Sequence, residues 1–178
     1  MKRQLLLALL LFTFLVSCSS MKVVVDFDDQ VNFGKYKTFH FIAPKKMQKK
    51  QMQRPAVIKN PLFLKLARKE IGTILSQKGF QKTSKPKQAD FVVAFYATAK
   101  NKAQITPPTY HIGRFGRRWV RPGHVHHYKQ GTLIIDIVDR KKHELVWRGV
   151  GTGVLNRAEP RKNLIKAVEK VLGKFPPK

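Results

Sequence analysis

The chain is short of cysteine, of acidic residues and of long apolar runs. Its one cysteine, Cys18, excludes a disulfide within the chain. Its longest apolar stretch, residues 5–16, is shorter than the roughly 20 residues that a membrane-spanning helix needs. The motifs G-x-S-x-G, H-E-x-x-H and the Walker phosphate loop are all missing. We therefore expect a non-catalytic protein, with general acid–base work by Asp26 and Asp28 as the enzymatic alternative.

The first 18 residues have the layout of an export signal. Lys2 and Arg3 precede the apolar run, and Leu15-Val16-Ser17-Cys18 closes it. This ending resembles the lipobox of bacterial lipoproteins, whose cysteine receives acyl chains such as palmitate and becomes the new N-terminus. We therefore predict a signal peptide over residues 1–17, lipidation of Cys18 and a short tether over residues 18–21. Because Ser19 stands where an aspartate would retain a lipoprotein in the inner membrane, the resemblance implies the outer membrane of a Gram-negative bacterium, facing the periplasm.

Positive charge dominates the composition. The chain has 36 Lys and Arg against 10 Asp and Glu, a formal net charge of +26, and loss of Lys2 and Arg3 with the signal lowers it by two, to +24. A field of this size attracts polyanions. Behind an export signal, the predicted partners are the membrane, lipopolysaccharide, a cell-wall polymer or another envelope protein, and not nucleic acid. The alternative is that the charge only keeps the protein soluble.

The hydrophobic pattern predicts one α+β domain over residues 22–178. Alternating and β-branched runs indicate strands near residues 22–28, 36–42, 89–97, 131–139 and 145–153, the last two forming an antiparallel hairpin. Apolar stripes at helical spacing indicate helices near residues 60–78 and 160–173. Asn60 and Pro61 are placed to begin the first, and Gly79 is placed to end it. The expected fold is a sandwich in which both helices pack on one face of a largely antiparallel β-sheet, with a cationic linker over residues 45–54.

A set of short motifs occurs in order along these predicted elements. They are Asp26-Phe27-Asp28, Asn32-Phe33, Tyr36-Lys37-Thr38-Phe39, Asn60-Pro61-Leu62, Gly79-Phe80, Asp90-Phe91, Gly131-Thr132-Leu133-Ile134-Ile135-Asp136, Leu145-Val146-Trp147-Arg148-Gly149 and Phe175-Pro176-Pro177. Together they resemble the bacterial lipoproteins grouped as domain of unknown function 4136. The resemblance implies a location and a fold, but no activity and no site residues. On physical grounds, Trp147 is expected in the core. Arg148 is expected within cross-strand reach of Asp136 and Asp139, in a structural ion pair.

Residues 106–130 show neither helical nor strand periodicity and predict a long loop. Arginines alternate there with the aromatic residues Phe115, Trp119 and Tyr128. The guanidinium fork matches phosphate and carboxylate, and aromatic rings rest on apolar or sugar surfaces. We therefore hypothesise an anion-binding site; its residues are Arg114, Arg117, Arg118, Trp119 and Arg121.

The same segment contains four of the six histidines, at positions 111, 124, 126 and 127. Because alternate residues of an extended chain share a side, His124 and His126 could present both rings to a metal, with His127 beside them. However, no cysteine or carboxylate accompanies them between residues 106 and 130, and the known zinc spacings are absent. A solvated, histidine-rich loop is therefore preferred, metal binding is the alternative, and no cofactor is predicted.

Overall fold

A computed structural model describes residues 21–42, 60–112, 118–156 and 158–176 of the protein. The predicted signal peptide, Cys18 and the basic linker over residues 45–54 lie outside the described residues. None of the described helices is long and apolar enough to cross a membrane.

Two helices form where the capping signals predict them. Helix α1 is Pro61–Gln77, and the side-chain oxygen of Asn60 accepts hydrogen bonds from the backbone N–H groups of Leu62 at 2.9 Å and Phe63 at 3.3 Å. Beyond its end, Gly79 adopts a φ of 92°, a left-handed conformation that glycine tolerates best. Helix α2 is Pro160–Leu172.

Six strands form one mixed sheet in the order β1-β8-β7-β4-β2-β3. The strands are β1 (Lys22–Phe27), β2 (Thr38–Phe41), β3 (Gln81–Lys82), β4 (Phe91–Thr106), β7 (His124–Asp139) and β8 (Leu145–Val154). The neighbours β1–β8, β8–β7 and β7–β4 are antiparallel, whereas β2 pairs in parallel with both β4 and β3. The predicted α+β class with a mostly antiparallel sheet is confirmed.

The core lies between one face of this sheet and the two helices. Phe91, Val93 and Phe95 of β4 are buried together with Leu133, Ile135 and Ile137 of β7. The apolar stripes of the helices cover them; their buried members are Ala67, Ile71 and Leu75 of α1 and Leu164, Ala167, Val168, Val171 and Leu172 of α2. On β2, Phe39 and Phe41 are buried and the flanking Thr38 and His40 are not, as the alternation predicts.

The prediction of a long loop over residues 106–130 is wrong. Strand β4 runs to Thr106 and β7 begins at His124, and the two pair continuously from Phe91–Asp139 to Thr106–His124. Between them, β5 (Thr109–Ile112) and β6 (Arg118–Arg121) form an antiparallel pair of their own. Of their described side chains, Thr109, Val120 and Arg121 are exposed. The sequence of the pair lacks the hydrophobic alternation by which a half-buried strand is recognised.

Glycines on β8 let α2 approach the sheet closely. A Cβ at Gly149 would lie 2.3 Å from Cη2 of Trp147 and 2.5 Å from Cγ1 of Val171, and a Cβ at Gly151 would lie 2.7 Å from Cγ2 of Val171. Real Cβ atoms essentially never come this close to another carbon. The two glycines therefore leave the space that Val171 and the fully buried indole of Trp147 occupy.

Gly149→Ala is expected to lower the free energy of unfolding by about 1–3 kcal/mol, because overpacking a filled core displaces its neighbours. Gly153→Ala is the matched control, since its Cβ would meet Met21 at an ordinary 3.5 Å; there we expect a change within about 0.5 kcal/mol. Urea unfolding measures both. Equal stability of the two variants would contradict the packing described for α2.

Candidate functional site

The two longest strands extend beyond the rest of the sheet as a two-stranded ribbon. Strand β8 pairs with β7 only as far as Gln130, whose partner is Val154, whereas β4 and β7 stay paired to Thr106 and His124. We call residues 100–106 together with residues 124–130 the ribbon. Most of its side chains are exposed. At the ribbon's base, the Lys129 carbonyl accepts a hydrogen bond from the backbone N–H of Leu155 at 2.8 Å. Beyond that point, β4 and β7 pair with each other as far as Thr106 and His124.

One face of the ribbon carries cations beside aromatic rings. Alternation along β4 places Lys100, Lys102 and Gln104 on this face. Alternation along β7 adds His124, His126 and Tyr128, with Lys102 directly opposite Tyr128. The rings of His126 and Tyr128 stack with centroids 6.5 Å apart and planes 16° apart.

The other face of the ribbon carries an exposed apolar pair. Ile105 and Val125 face each other across the two strands, and 74% and 53% of their respective surfaces are exposed. Ala103 and His127 form the next pair on this face. The ribbon therefore combines a cationic face with a small apolar patch near its tip.

No carboxylate neutralises this region. The sequence has no Asp or Glu from Phe91 to Ile135. The same stretch contains seven cations, namely Lys100, Lys102, Arg114, Arg117, Arg118, Arg121 and Lys129. The ion pairs Arg148–Asp136 and Lys162–Glu159 include no ribbon residue. The positive charges of the ribbon are therefore not neutralised by either of these ion pairs.

In the sequence, the predicted arginines fall between the two strands of the ribbon. Arg118, Trp119 and Arg121 belong to β6, whereas Arg114 and Arg117 lie outside the described residues. The arginine hypothesis thus stays a prediction. Lys100 and Lys102 were missed in the sequence reasoning, although the two-residue spacing Lys100-x-Lys102-x-Gln104 inside an acid-free stretch could have identified them.

The histidines divide between the two ribbon faces. His124 and His126 share a face, as their spacing predicts, and His127 lies on the opposite one. Three imidazoles of this segment therefore do not converge. Within the described ranges, no group of three or more His, Cys, Asp or Glu side chains is placed to hold a metal ion.

An apolar cavity of about 280 Å³ opens between the first turns of the two helices and strands β7 and β8. Phe63, Leu133, Leu164 and Ala167 contribute to its wall, and Lys129 is the one ionisable residue in the described lining. The described part of its lining also includes the hydroxyl groups of Thr98 and Thr132.

Asp136 is a buried carboxylate engaged by Arg148. Its side chain is 1% exposed, and its two oxygens accept from Nε of Arg148 at 2.6 Å and from Nη2 at 2.7 Å. The two residues are cross-strand partners on the face away from the helices. This bidentate hydrogen bond raises the pKa of Arg148 above its ordinary value. The ion pair expected for Arg148 is therefore formed with Asp136, whereas Asp139 bonds to Tyr36 and to the β7–β8 turn.

Two further carboxylates hold the opposite end of the sheet together. Asp90 accepts from the backbone N–H groups of Lys37 at 2.9 Å and Thr38 at 2.8 Å, and from the Thr38 hydroxyl at 2.9 Å. Asp139 accepts from the Tyr36 hydroxyl at 2.7 Å and from two backbone N–H groups of the β7–β8 turn. Burial raises the pKa of each carboxyl, but these hydrogen bonds outweigh it, so both pKa values lie below the ordinary value. Burial and the Asp139 carboxylate raise the pKa of the Tyr36 phenol.

The carboxylates considered for catalysis border this network. Asp26 pairs in register with Arg148 and adds to the rise in its pKa, and Asp28 adds to the rise in the pKa of Tyr36. Asp26 and Asp28, at the end of β1, are both exposed. Asp28 accepts a hydrogen bond from the backbone N–H of Gln30 at 2.9 Å, a local turn contact.

A family model for a domain of unknown function, DUF4136, matches residues 23–177. The chain belongs to this family. The resemblance read from its ordered motifs is therefore confirmed, while lipidation stays a prediction. No curated protein matches the chain. The DUF4136 assignment brings no established activity with it.

Two solved structures share the fold of this DUF4136 domain. A PDZ domain protein from Parabacteroides distasonis superimposes with a TM-score of 0.59 at 14% identity, over 99% of this chain and 40% of that one. A DUF4136 family protein from Bacteroides thetaiotaomicron superimposes with a TM-score of 0.52 at 13% identity, over 88% of this chain and 96% of that one. At such identities the likeness shows the fold alone. This chain thus spans less than half the length of the first of these proteins.

The lowered pKa values predict a domain that loses stability in acid. A carboxyl whose folded pKa is depressed stabilises the fold above its unfolded pKa of about 3.9, and that contribution disappears as the pH falls through the folded pKa. Asp90→Asn should therefore lower the free energy of unfolding at pH 6 by about 1–2 kcal/mol. Its stability and that of the unsubstituted protein should converge near pH 2.

The check is urea unfolding at several pH values between 2 and 7. Asp29→Asn removes an exposed carboxylate and serves as the control that should leave the curve unchanged. A constant difference between Asp90→Asn and the unsubstituted protein across this pH range would contradict the role assigned to Asp90.

Proposed function

We propose that this protein is a non-catalytic module of the bacterial envelope, anchored through lipidated Cys18 in the outer membrane and facing the periplasm. Its ribbon contacts an anionic envelope component. The cationic, aromatic face of the ribbon, placed at the end of the sheet from which the N-terminal tether leaves, is the observation that carries this proposal.

The position of the tether follows from the strand register. Lys22, the first residue of β1, lies in one row across the sheet with Thr152 of β8, Thr132 of β7 and Thr98 of β4, because each pairs with the next. The ribbon starts just beyond this row, at Lys100. The start of β1, four residues after Cys18 in the sequence, and the ribbon therefore lie at the same end of the domain.

The segment between Cys18 and β1 is shorter than the ribbon is long. The four residues from Cys18 to Lys22 span at most about 14 Å when fully extended. From Thr98 to Thr106 the ribbon rises about 27 Å at the usual rise per strand residue. A domain held on so short a tether thus brings its ribbon into the headgroup layer. Lys100 and Lys102 fit phosphate or carboxylate groups there, and Ile105 and Val125 fit the apolar boundary beneath them.

Lipidation of Cys18 is the first test. Several acyl chains hold a domain in a bilayer because each buried CH₂ contributes about 0.8 kcal/mol. In cells fed a clickable fatty acid, the unsubstituted protein should be labelled and Cys18→Ser should not. Equal labelling of the two proteins would remove the anchor from the proposal.

The ribbon is tested by replacing Lys100, Lys102 and Arg121 with serine. The protein, purified in a nonionic detergent, is applied to beads carrying lipopolysaccharide, phosphatidylglycerol, cell-wall fragments or the neutral lipid phosphatidylcholine. Each cation near an anionic surface contributes about 1 kcal/mol, so we expect the triple variant to bind anionic beads about tenfold more weakly or worse. Retention should fall steeply as salt rises, because screening acts over about 10 Å at 0.1 M.

A matched triple variant controls for net charge. Lys35, Lys87 and Lys174 are exposed lysines at the opposite end of the sheet, and their replacement by serine removes the same charge. Equal weakening by the two triple variants, or retention on phosphatidylcholine equal to that on the anionic beads, would refute specific contact by the ribbon.

A further inference from the structure

A second cationic surface lies at the other end of the domain. A groove of about 720 Å³ runs between α1 and the edge strands β2 and β3. Four cations line it, three from α1 and one from β3; they are Lys65, Arg68, Lys69 and Lys82. Phe41 also lines the groove and pairs in register with Val93, near the start of β4. The ribbon leaves the far end of that same strand.

Two of these cations share one aromatic ring. The guanidinium carbon of Arg68 lies 5.5 Å from the centroid of Phe41, and the ammonium nitrogen of Lys82 lies 5.8 Å from it. Cation–π attraction holds both groups over the ring from separate elements of the fold. No carboxylate belongs to the part of the groove lining that the structure describes. Like charges are thus gathered here without an internal counter-ion.

We propose that this groove binds the phosphate groups of a ligand presented from the side of the domain away from the ribbon. A phosphate monoester carries about 1.5 to 2 negative charges and three acceptor oxygens in a small volume. The lysines supply point charges and Arg68 a planar fork of donors. The hydroxyl groups of Thr73 and Ser76 add donors in the same lining. The site does not depend on Cys18 or on the ribbon.

Gly72 makes the groove testable without any change of charge. It lies on α1 within the groove lining, and a Cβ there would meet the Phe41 ring at 3.7 Å, an ordinary contact. Alanine therefore fits at this position. A leucine side chain would extend into the groove and occupy the space above the ring.

Titration calorimetry with inorganic tripolyphosphate, on the full chain in nonionic micelles at about 0.15 M salt, measures the site. The double variant Arg68→Gln, Lys82→Gln should weaken binding tenfold or more. Gly72→Leu should weaken it at least fivefold with the net charge unchanged, while Gly72→Ala should bind within twofold of the unsubstituted protein. Urea unfolding verifies that each variant is folded.

Two controls separate this site from general charge attraction. The exposed pair Lys35→Gln, Lys174→Gln removes the same charge as the double variant and should bind within twofold of the unsubstituted protein. The serine triple variant of the ribbon should also retain its affinity for tripolyphosphate, so failure of the ribbon proposal leaves this result intact. Full affinity in Gly72→Leu, equal weakening by the two double variants, or equal binding of citrate would overturn the proposal.

The carrier of the phosphate is identified by competition. If the ligand is a glycolipid headgroup, intact lipopolysaccharide in the same micelles should displace tripolyphosphate. Lipopolysaccharide from which the phosphates have been removed should not displace it. Displacement by short soluble polyphosphates, without displacement by lipopolysaccharide, would assign the groove to a soluble phosphate compound. Both results support the phosphate site and differ only in its source.

Discussion

Burial of Phe91 at the first position of β4 is the contact around which the domain is arranged. Its ring lies 5.3 Å from Phe80, 5.5 Å from Tyr36, 5.9 Å from Phe39 and 6.0 Å from Phe175, measured between centroids. Tyr36 precedes β2 and Phe39 belongs to it, whereas Phe80 follows α1 and Phe175 follows α2. The Phe91 side chain therefore contacts segments that are far apart in the sequence. Aromatic pairs at such spacings each contribute about 0.5–1.5 kcal/mol beyond the area they bury. Because Phe91 faces the helices, strand alternation turns the even-numbered Lys100 and Lys102 to the opposite face.

The distribution of charge follows from how few carboxylates the chain has. Asp90, Asp136 and Asp139 are all engaged by donors of the fold itself. Among the described residues, none of the ion pairs given above includes a cation of the ribbon or of the groove. A polyanion that binds at either end therefore does not have to displace a native ion pair. The start of β1 and the ribbon lie at one end of the sheet, and Phe41 of the groove lies toward the other. The two proposed contacts would therefore connect a membrane surface with a phosphate-bearing ligand.

The two helices could be predicted to within a residue or so because their signals are local. Asn60, Pro61 and Gly79 act within one turn of the ends of α1. Strand β3 could not be predicted, since it is two residues long and depends on Gln81 pairing with Thr38, far away in sequence. The ribbon was misread for a related reason. The side chains on one face of the ribbon are polar, and those on the other face are only weakly apolar. The segment therefore has the composition of a linker, although β4 and β7 stay paired along it.

The sequence by itself determined the α+β class, the helix ends, the shared face of Phe91 and Phe95, the core position of Trp147 and an ion pair at Arg148. Periodicity, caps and adjacent strands of a hairpin are properties of short segments. It also showed the acid-poor composition and the ordered motifs of the family. Only the tertiary structure decided that the ribbon leaves the sheet at the end where β1 begins and that Arg68 and Lys82 meet over Phe41. Those relations depend on strand register and on where a helix lies across a sheet, and no local pattern specifies such long-range contacts.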